Sequence, residues 1–196
     1  ILREHDMLVK KKRSFVKTTD SNHHFRKHKN LIKELEIVRS NQVWVADITY
    51  IRLIKGHCYL ALITDLYSRK IVGYDISNSL ELAGCLRAFK RAHRQARPAH
   101  GLFHHSDRGS QYCSNEYQQE INTNQIDCSM TESYDPYANA VAERIKGILK
   151  QEFSLEKYDT DIGIMKRLVK NSIGIYNRLR PHYSCYMLTP NQMHKQ

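Results

Sequence analysis

Long apolar runs, paired cysteines and negative charge are all scarce in this sequence of 196 residues. The longest mainly apolar stretch, Cys58 to Ile63, ends at Thr64 and Asp65, far short of the ~20 residues that a membrane-crossing helix needs. No apolar run stands behind the charged N-terminal residues, so the sequence has no secretory signal pattern. The five cysteines, Cys58, Cys85, Cys113, Cys128 and Cys185, are odd in number, widely spread and contain no Cys-x-x-Cys pair. That excludes a disulfide framework and a structural zinc site, and it predicts a reduced, cytoplasmic protein. Internal repeats and low-complexity segments are absent as well.

Acidic residues number 20 against 31 lysines and arginines, a formal charge of +11, with a pI near 9.5. A polyanion is the natural partner, because phosphate neutralisation with counterion release is the main source of nucleic-acid affinity. The excess is uneven. Residues 1–40 hold eleven Lys and Arg against five Asp and Glu, including the run Lys10, Lys11, Lys12, Arg13. Such a segment predicts a basic N-terminal arm without a core of its own, lying extended or in short helices and touching DNA backbone.

The pattern changes at Asn41. Val43 to Ile51 is rich in β-branched and aromatic residues, Cys58 to Thr64 is an apolar run suited to a strand covered on both faces, and Ile71 to Ile76 is a third strand. The links between them are too short for crossovers, so the three form an antiparallel meander. A helical rhythm then runs through Leu80, Leu82, Ala83, Leu86 and Phe89 until Pro98. There follow a strand at Leu102–His105, a helix at Ser114–Asn122, a strand at Ile126–Met130, and a helix started by Asp135 and Pro136 with the stripe Val141, Ile145, Ile148, Leu149 and Phe153. A last helix, Asp161 to Arg178, leads into an irregular tail. This order is that of the ribonuclease H-like fold, an α/β mixed sheet with helices on its faces. It divides the chain into a basic arm (1–40), a catalytic core (41–157) and a C-terminal helix and tail completing the core (158–196).

Three acids stand out, each with an ordinary explanation beside the chemical one. Asp47 sits mid-strand, where Asp is disfavoured; there it is either solvated at an edge, paired with a cation or bound to a metal. Asp107 ends a short strand before Arg108 and Gly109, as a ligand or as a turn residue. Glu143 lies on the capped helix with Lys146 and Lys150 on its face, as a metal ligand beside phosphate-binding cations or as one half of an i,i+3 pair worth ~0.2 to 0.5 kcal/mol. Together they are what phosphoryl transfer needs: carboxylate oxygens converging on two magnesium ions, for which manganese can substitute.

Thirty-five residues separate Asp107 from Glu143, and the chain resembles the insertion-sequence transposases of the IS-three family, whose core is similar to retroviral integrase. The matching strings are Trp44-Val45-Ala46-Asp47-Ile48-Thr49-Tyr50, His105 to Tyr112, Tyr134 to Glu143, and Tyr176-Asn177-Arg178-Leu179-Arg180-Pro181-His182; Lys150, seven residues after the glutamate, also matches. The resemblance spans Leu8 to His194. It implies a magnesium-dependent DNA transposase core in which Asp47, Asp107 and Glu143 are the catalytic and metal-binding triad. Element ends are nicked, and the freed 3′-hydroxyl then attacks another phosphodiester. It also implies Lys146, Lys150, Arg180 and the basic arm as DNA contacts, a homo-oligomer on DNA, and an upstream helix-turn-helix segment or protein that these 196 residues do not include. A nuclease or resolvase that cleaves without joining is the enzymatic alternative, and a basic binding protein is the non-enzymatic one.

Overall fold

The β-branched run beginning at Val43 forms strand β1 (Val43–Arg52), which pairs antiparallel with β2 (His57–Asp65), itself antiparallel to β3 (Ile71–Ser77). A turn with Gly56 at φ +75 joins the first pair, a left-handed conformation that glycine adopts without steric cost. Helix α1 (Leu82–Ala96) then carries the chain across the sheet, so that β4 (Phe103–Ser106) enters parallel to β1. Short helices α2 (Ser110–Cys113) and α3 (Asn115–Thr123) lead to β5 (Asp127–Met130), parallel to β4. The order β3-β2-β1-β4-β5 makes β1 the middle strand. Helices α4 (Ala140–Gln151) and α5 (Ile162–Leu179) follow. This computed structural model describes residues 23–96, 101–132 and 140–196, and its architecture is the ribonuclease H-like one expected from the element order.

Alternation along β1 sorts its side chains onto two faces. Trp44, Ala46 and Ile48 pack with Cys85, Phe89 and Ala92 of α1 and with Tyr117 and Ile121 of α3. On the other face Ile51 joins Ile145, Ile148 and Leu149 of α4 and Met165, Val169, Ile173 and Tyr176 of α5. Helix α1 lies so close to β3 that a Cβ on Gly73 would stand 2.3 Å from the Ala88 carbonyl oxygen. Any side chain there would push the helix off the sheet. Asp161, expected as the first residue of this helix, is its cap and accepts from the Ile164 amide.

Residues 23–40 contain no helix or strand. Their backbone is tied to β5, where the Met130 amide donates to Lys29 O and the Leu31 amide to Ser129 Oγ, and Ile32, Leu35 and Ile37 pack against Val43, Val45 and Ala142. Lys10, Lys11, Lys12 and Arg13 lie outside the described residues, as do Asp135 and Pro136. The tail differs from the irregular one expected: a 3-10 turn (Tyr183–Cys185) is followed by helix α6 (Pro190–Met193), opened by a capping box between Thr189 and Gln192. Thr-Pro-x-Gln is itself a readable helix start. Asp65, fully buried, accepts from the Asn41 amide and from the amide and hydroxyl of Ser68, and Ser68 Oγ lies 2.9 Å from Nδ1 of His194. One carboxylate therefore ties the chain preceding β1, the β2–β3 turn and the C-terminus together.

His104 of β4 is wholly buried among Phe89, Tyr112 and Tyr117, with Nε2 2.9 Å from the Tyr117 hydroxyl. Burial first, and the neighbouring His105 second, push its pKa from 6.5 down to about 3. In that window the unfolded chain binds the proton and the folded one does not, so stability is lost as pH falls from 6.5 toward 3. His104→Gln should flatten that loss: its urea midpoint should fall less than the wild-type one between about pH 7 and about pH 4. An equally steep fall would remove His104 as the cause.

Candidate active site

Residues 43 to 46 of β1 pair in parallel with 103 to 106 of β4, a constant offset. Asp107 follows the last of these pairs, which sets it level with Asp47. Asp47 shares its parity with Val43 and Val45, whose side chains pack beneath α4, and Asp107 shares parity with Phe103 in the same cluster. Asp47 therefore belongs to the α4 side of the sheet, and Asp107 stands just past the end of β4. The two carboxylates are near enough to affect each other's surroundings. Asp47 is only 8% exposed and its pKa is raised, foremost by burial; Lys146 opposes the rise, and the charge of Asp107 adds to it. Buried Tyr112 is raised as well, chiefly by desolvation, with Asp107 and Asp47 both contributing.

Asp47 keeps one oxygen on the backbone, Oδ1 accepting from the Ile48 amide at 2.9 Å. Its other oxygen, Oδ2, lies 2.7 Å from the Lys146 ammonium. At that distance the buried carboxylate and the ammonium form a charge-assisted contact, which opposes the effect of burial on Asp47. Asp107 is half-buried and its Oδ1 accepts from the Gly109 amide at 3.0 Å. The turn reading and the ligand reading of Asp107 are thus compatible, since one oxygen shapes the turn.

Glu143 stands differently. It is exposed on α4, and among the described residues no three carboxylate, imidazole or thiol side chains come together closely enough to hold a metal ion. The close convergence of all three acids expected from the sequence is therefore not seen, and α4 turns Lys146 rather than Glu143 toward Asp47. What the residues offer a divalent cation is the pair Asp47 and Asp107. Magnesium is commonly held by one or two carboxylates, water and substrate phosphate. The pair fits such an ion.

Of the other predicted cations, the two among the described residues, Lys150 and Arg180, are engaged within the chain. Lys150 Nζ is 2.7 Å from Glu156 and 4.5 Å from the centre of the Tyr50 ring. Arg180 makes a bidentate pair with Glu152 at 2.7 and 2.8 Å, which holds that acid below its ordinary pKa. Tyr50 is a site feature that sequence reasoning left unassigned, although it closes the first matching string. The Asp47–Lys146 pair had no sequence signal, because it crosses from strand to helix over 99 positions. Among the described residues no helix is long and apolar enough to cross a membrane.

Two models of the integrase core domain match the sequence, over residues 38–136 and 124–190. The 31 kDa protein of insertion element IS600 from Shigella sonnei is 38% identical over 189 residues, 92% of this chain and 67% of that protein. Transposase InsF for insertion sequence IS3fB of Escherichia coli K12 is 34% identical over 157 residues, and InsF for IS3A is 35% identical over 153; the chain spans about half the length of each, 54% and 53%. Among solved structures, the HTLV-2 integrase catalytic core domain in complex with magnesium superposes with a TM-score of 0.65 at 20% identity, covering 81% of this chain and 99% of that one. The simian T-cell lymphotropic virus intasome gives 0.70 at 18% identity, covering 91% and 62%. Those likenesses confirm the fold, while the sequence matches identify the family: the chain belongs to the integrase core domain family, alongside the transposases of IS3-type insertion sequences.

Proposed function

We propose that this chain is the catalytic core of a DNA transposase, which nicks DNA at an element end and joins the freed 3′-hydroxyl to a second DNA. The observation that carries the reading is a buried carboxylate on the middle strand, Asp47, with Asp107 near enough to add to its raised pKa and the Lys146 ammonium 2.7 Å from its Oδ2. Asp47 and Asp107 would hold magnesium, or manganese in its place, and Glu143 would complete the ligand set. Bound there, two such ions supply an acidified water or 3′-hydroxyl and a counter-charge for the leaving oxygen. The protein's own part is to fix Asp47 on the middle strand and Asp107 in the turn just past β4, and to keep bulk water from Asp47.

DNA is the proposed partner, both as element end and as target. The basic arm, residues 1–40, would lie along phosphates with Lys10, Lys11, Lys12 and Arg13, while Lys146, Lys150 and Arg180 would add contacts that carry no base information. Residues 41–157 form the core in this reading and 158–196 complete it. The structural neighbour that is an intasome supports action as a homo-oligomer on DNA. Recognition of a particular element would fall to an upstream helix-turn-helix segment or protein, and the whole would work in the bacterial cytoplasm.

The test is strand transfer and nicking on a precut element end, beside a DNA-binding titration. Asp107→Asn keeps the side-chain shape and removes the charge, so several kcal/mol of transition-state stabilisation should go, at least about a hundredfold in rate. DNA affinity should hold or rise. Near-normal cleavage by that variant, or a loss only in proportion to lost binding, would overturn the assignment, and nicks without joined products would favour a plain nuclease. A second outcome follows from burial. Because the folded-state pKa of Asp47 is raised, the folded chain holds the proton more tightly than the unfolded one, and stability declines as pH rises upward from 3.8 through that window. Asp47→Asn should therefore stabilise the protein at neutral pH with divalent cations chelated, by roughly 1 kcal/mol in chemical denaturation. A destabilised variant would mean that the Lys146 pair outweighs the cost of burial.

A further inference from the structure

Helix α4 carries both the acid that the family resemblance makes the third ligand and the cation that touches the first. Glu143 and Lys146 are three positions apart, hence neighbours on one helical stripe, yet they do not pair with each other: Glu143 is exposed, and Lys146 reaches over to Asp47. The Lys146 side chain is 29% exposed where that of Asp47 is 11% exposed, so the ammonium comes from the solvent side and covers Oδ2 of the carboxylate. A divalent cation approaching that oxygen meets a positive charge already within 2.7 Å of it. The two cannot share the site, because a dication and an ammonium at van der Waals distance repel strongly wherever water is thinned.

We propose that Lys146 is a built-in counter-ion of Asp47, which a divalent cation must displace and which DNA phosphate helps to draw away. This rests on the reading of Asp47 as a metal-binding residue. Without a competing partner, Lys146 weakens the hold of Asp47 on the ion. Once a phosphate offers the ammonium another anion, the carboxylate is released. By reciprocity, whatever DNA does for metal affinity, metal does for DNA affinity. The arrangement thus makes loading of the site conditional on nucleic acid.

The experiment measures Mn2+ binding to the chain without DNA, by electron paramagnetic resonance of the free ion, in the wild type, Asp47→Asn, Lys146→Met and Lys146→Arg. Lys146→Met keeps the apolar stem and removes the charge, and it should bind Mn2+ about tenfold more tightly than the wild type, a coupling of ordinary size. Lys146→Arg should show no gain. Equal or weaker binding by Lys146→Met would overturn the counter-ion role. Binding that is indifferent to Asp47→Asn would instead overturn the reading of Asp47 itself, so the two failures are distinguishable. Should Lys146→Met fold poorly, with a buried carboxylate left uncompensated, the wild type provides the second measurement. Titrating Mg2+ into protein with 13C-labelled lysine should move the Lys146 Cε resonance, identified by its loss in Lys146→Arg. A resonance that stays in place while Mg2+ binds would overturn the proposal as well.

Discussion

A carboxylate set in the middle strand of a sheet and covered by a helix must be compensated by a cation, and the architecture follows from meeting that demand at Asp47. Burial alone would drive such a group to take up a proton. Two partners oppose it, the Lys146 ammonium at Oδ2 and the Ile48 amide at Oδ1. A second carboxylate, Asp107, stands beside it rather than away from it. Two like charges on adjacent strands are a cost that a fold selected for stability alone would avoid. They become useful only if a stronger cation than lysine is to be bound there.

The parallel pairing of β1 with β4 is what makes the juxtaposition possible, and it requires a crossover. Helix α1 supplies it, and its tight seat on β3 over Gly73 leaves no room for slippage. The two faces of the sheet divide the work. One is an apolar and aromatic layer in which even a histidine, His104, is held neutral. The other carries Asp47 under α4, with α5 packed beside it. The Asp65 network then fixes the start of β1 to the last residues of the chain, so that the strand bearing Asp47 is anchored before it begins.

Much of this was legible in the sequence because it is local. β-Branched runs, short links and the stripe on α4 each depend on residues a few positions apart. The meander, the element order and even the positions of Asp47 and Asp107 follow from such signals. The rest depends on pairs distant in sequence. Lys146 looked like a partner for Glu143 or for phosphate, and the i,i+3 spacing on one helix gives no hint that it reaches a strand instead. Lys150 matched a family position, but its seat over Tyr50 and against Glu156 needed the packing of α4 on β1. The tail was misread as irregular although Thr189 and Gln192 spell a capping box, a signal present and overlooked.

The engaged cations also bear on how a polyanion could be held. Arg180 and Lys150 are occupied by Glu152 and Glu156, acids that are themselves nearly half exposed, 45% and 46%. Ion pairs in such settings are worth ~0 to 1 kcal/mol, less than a phosphate contact that also releases counterions. DNA arriving at this face would therefore compete successfully for Arg180 and Lys150 while freeing glutamates that water can solvate. Lys146 is different in kind, because its partner is buried: removing the ammonium leaves Asp47 uncompensated unless a dication takes its place. Surface pairs can be exchanged for phosphate one at a time, whereas in the proposed arrangement Lys146 leaves for phosphate only as a dication takes its place at Asp47, and that asymmetry would link DNA binding to the chemistry of the centre.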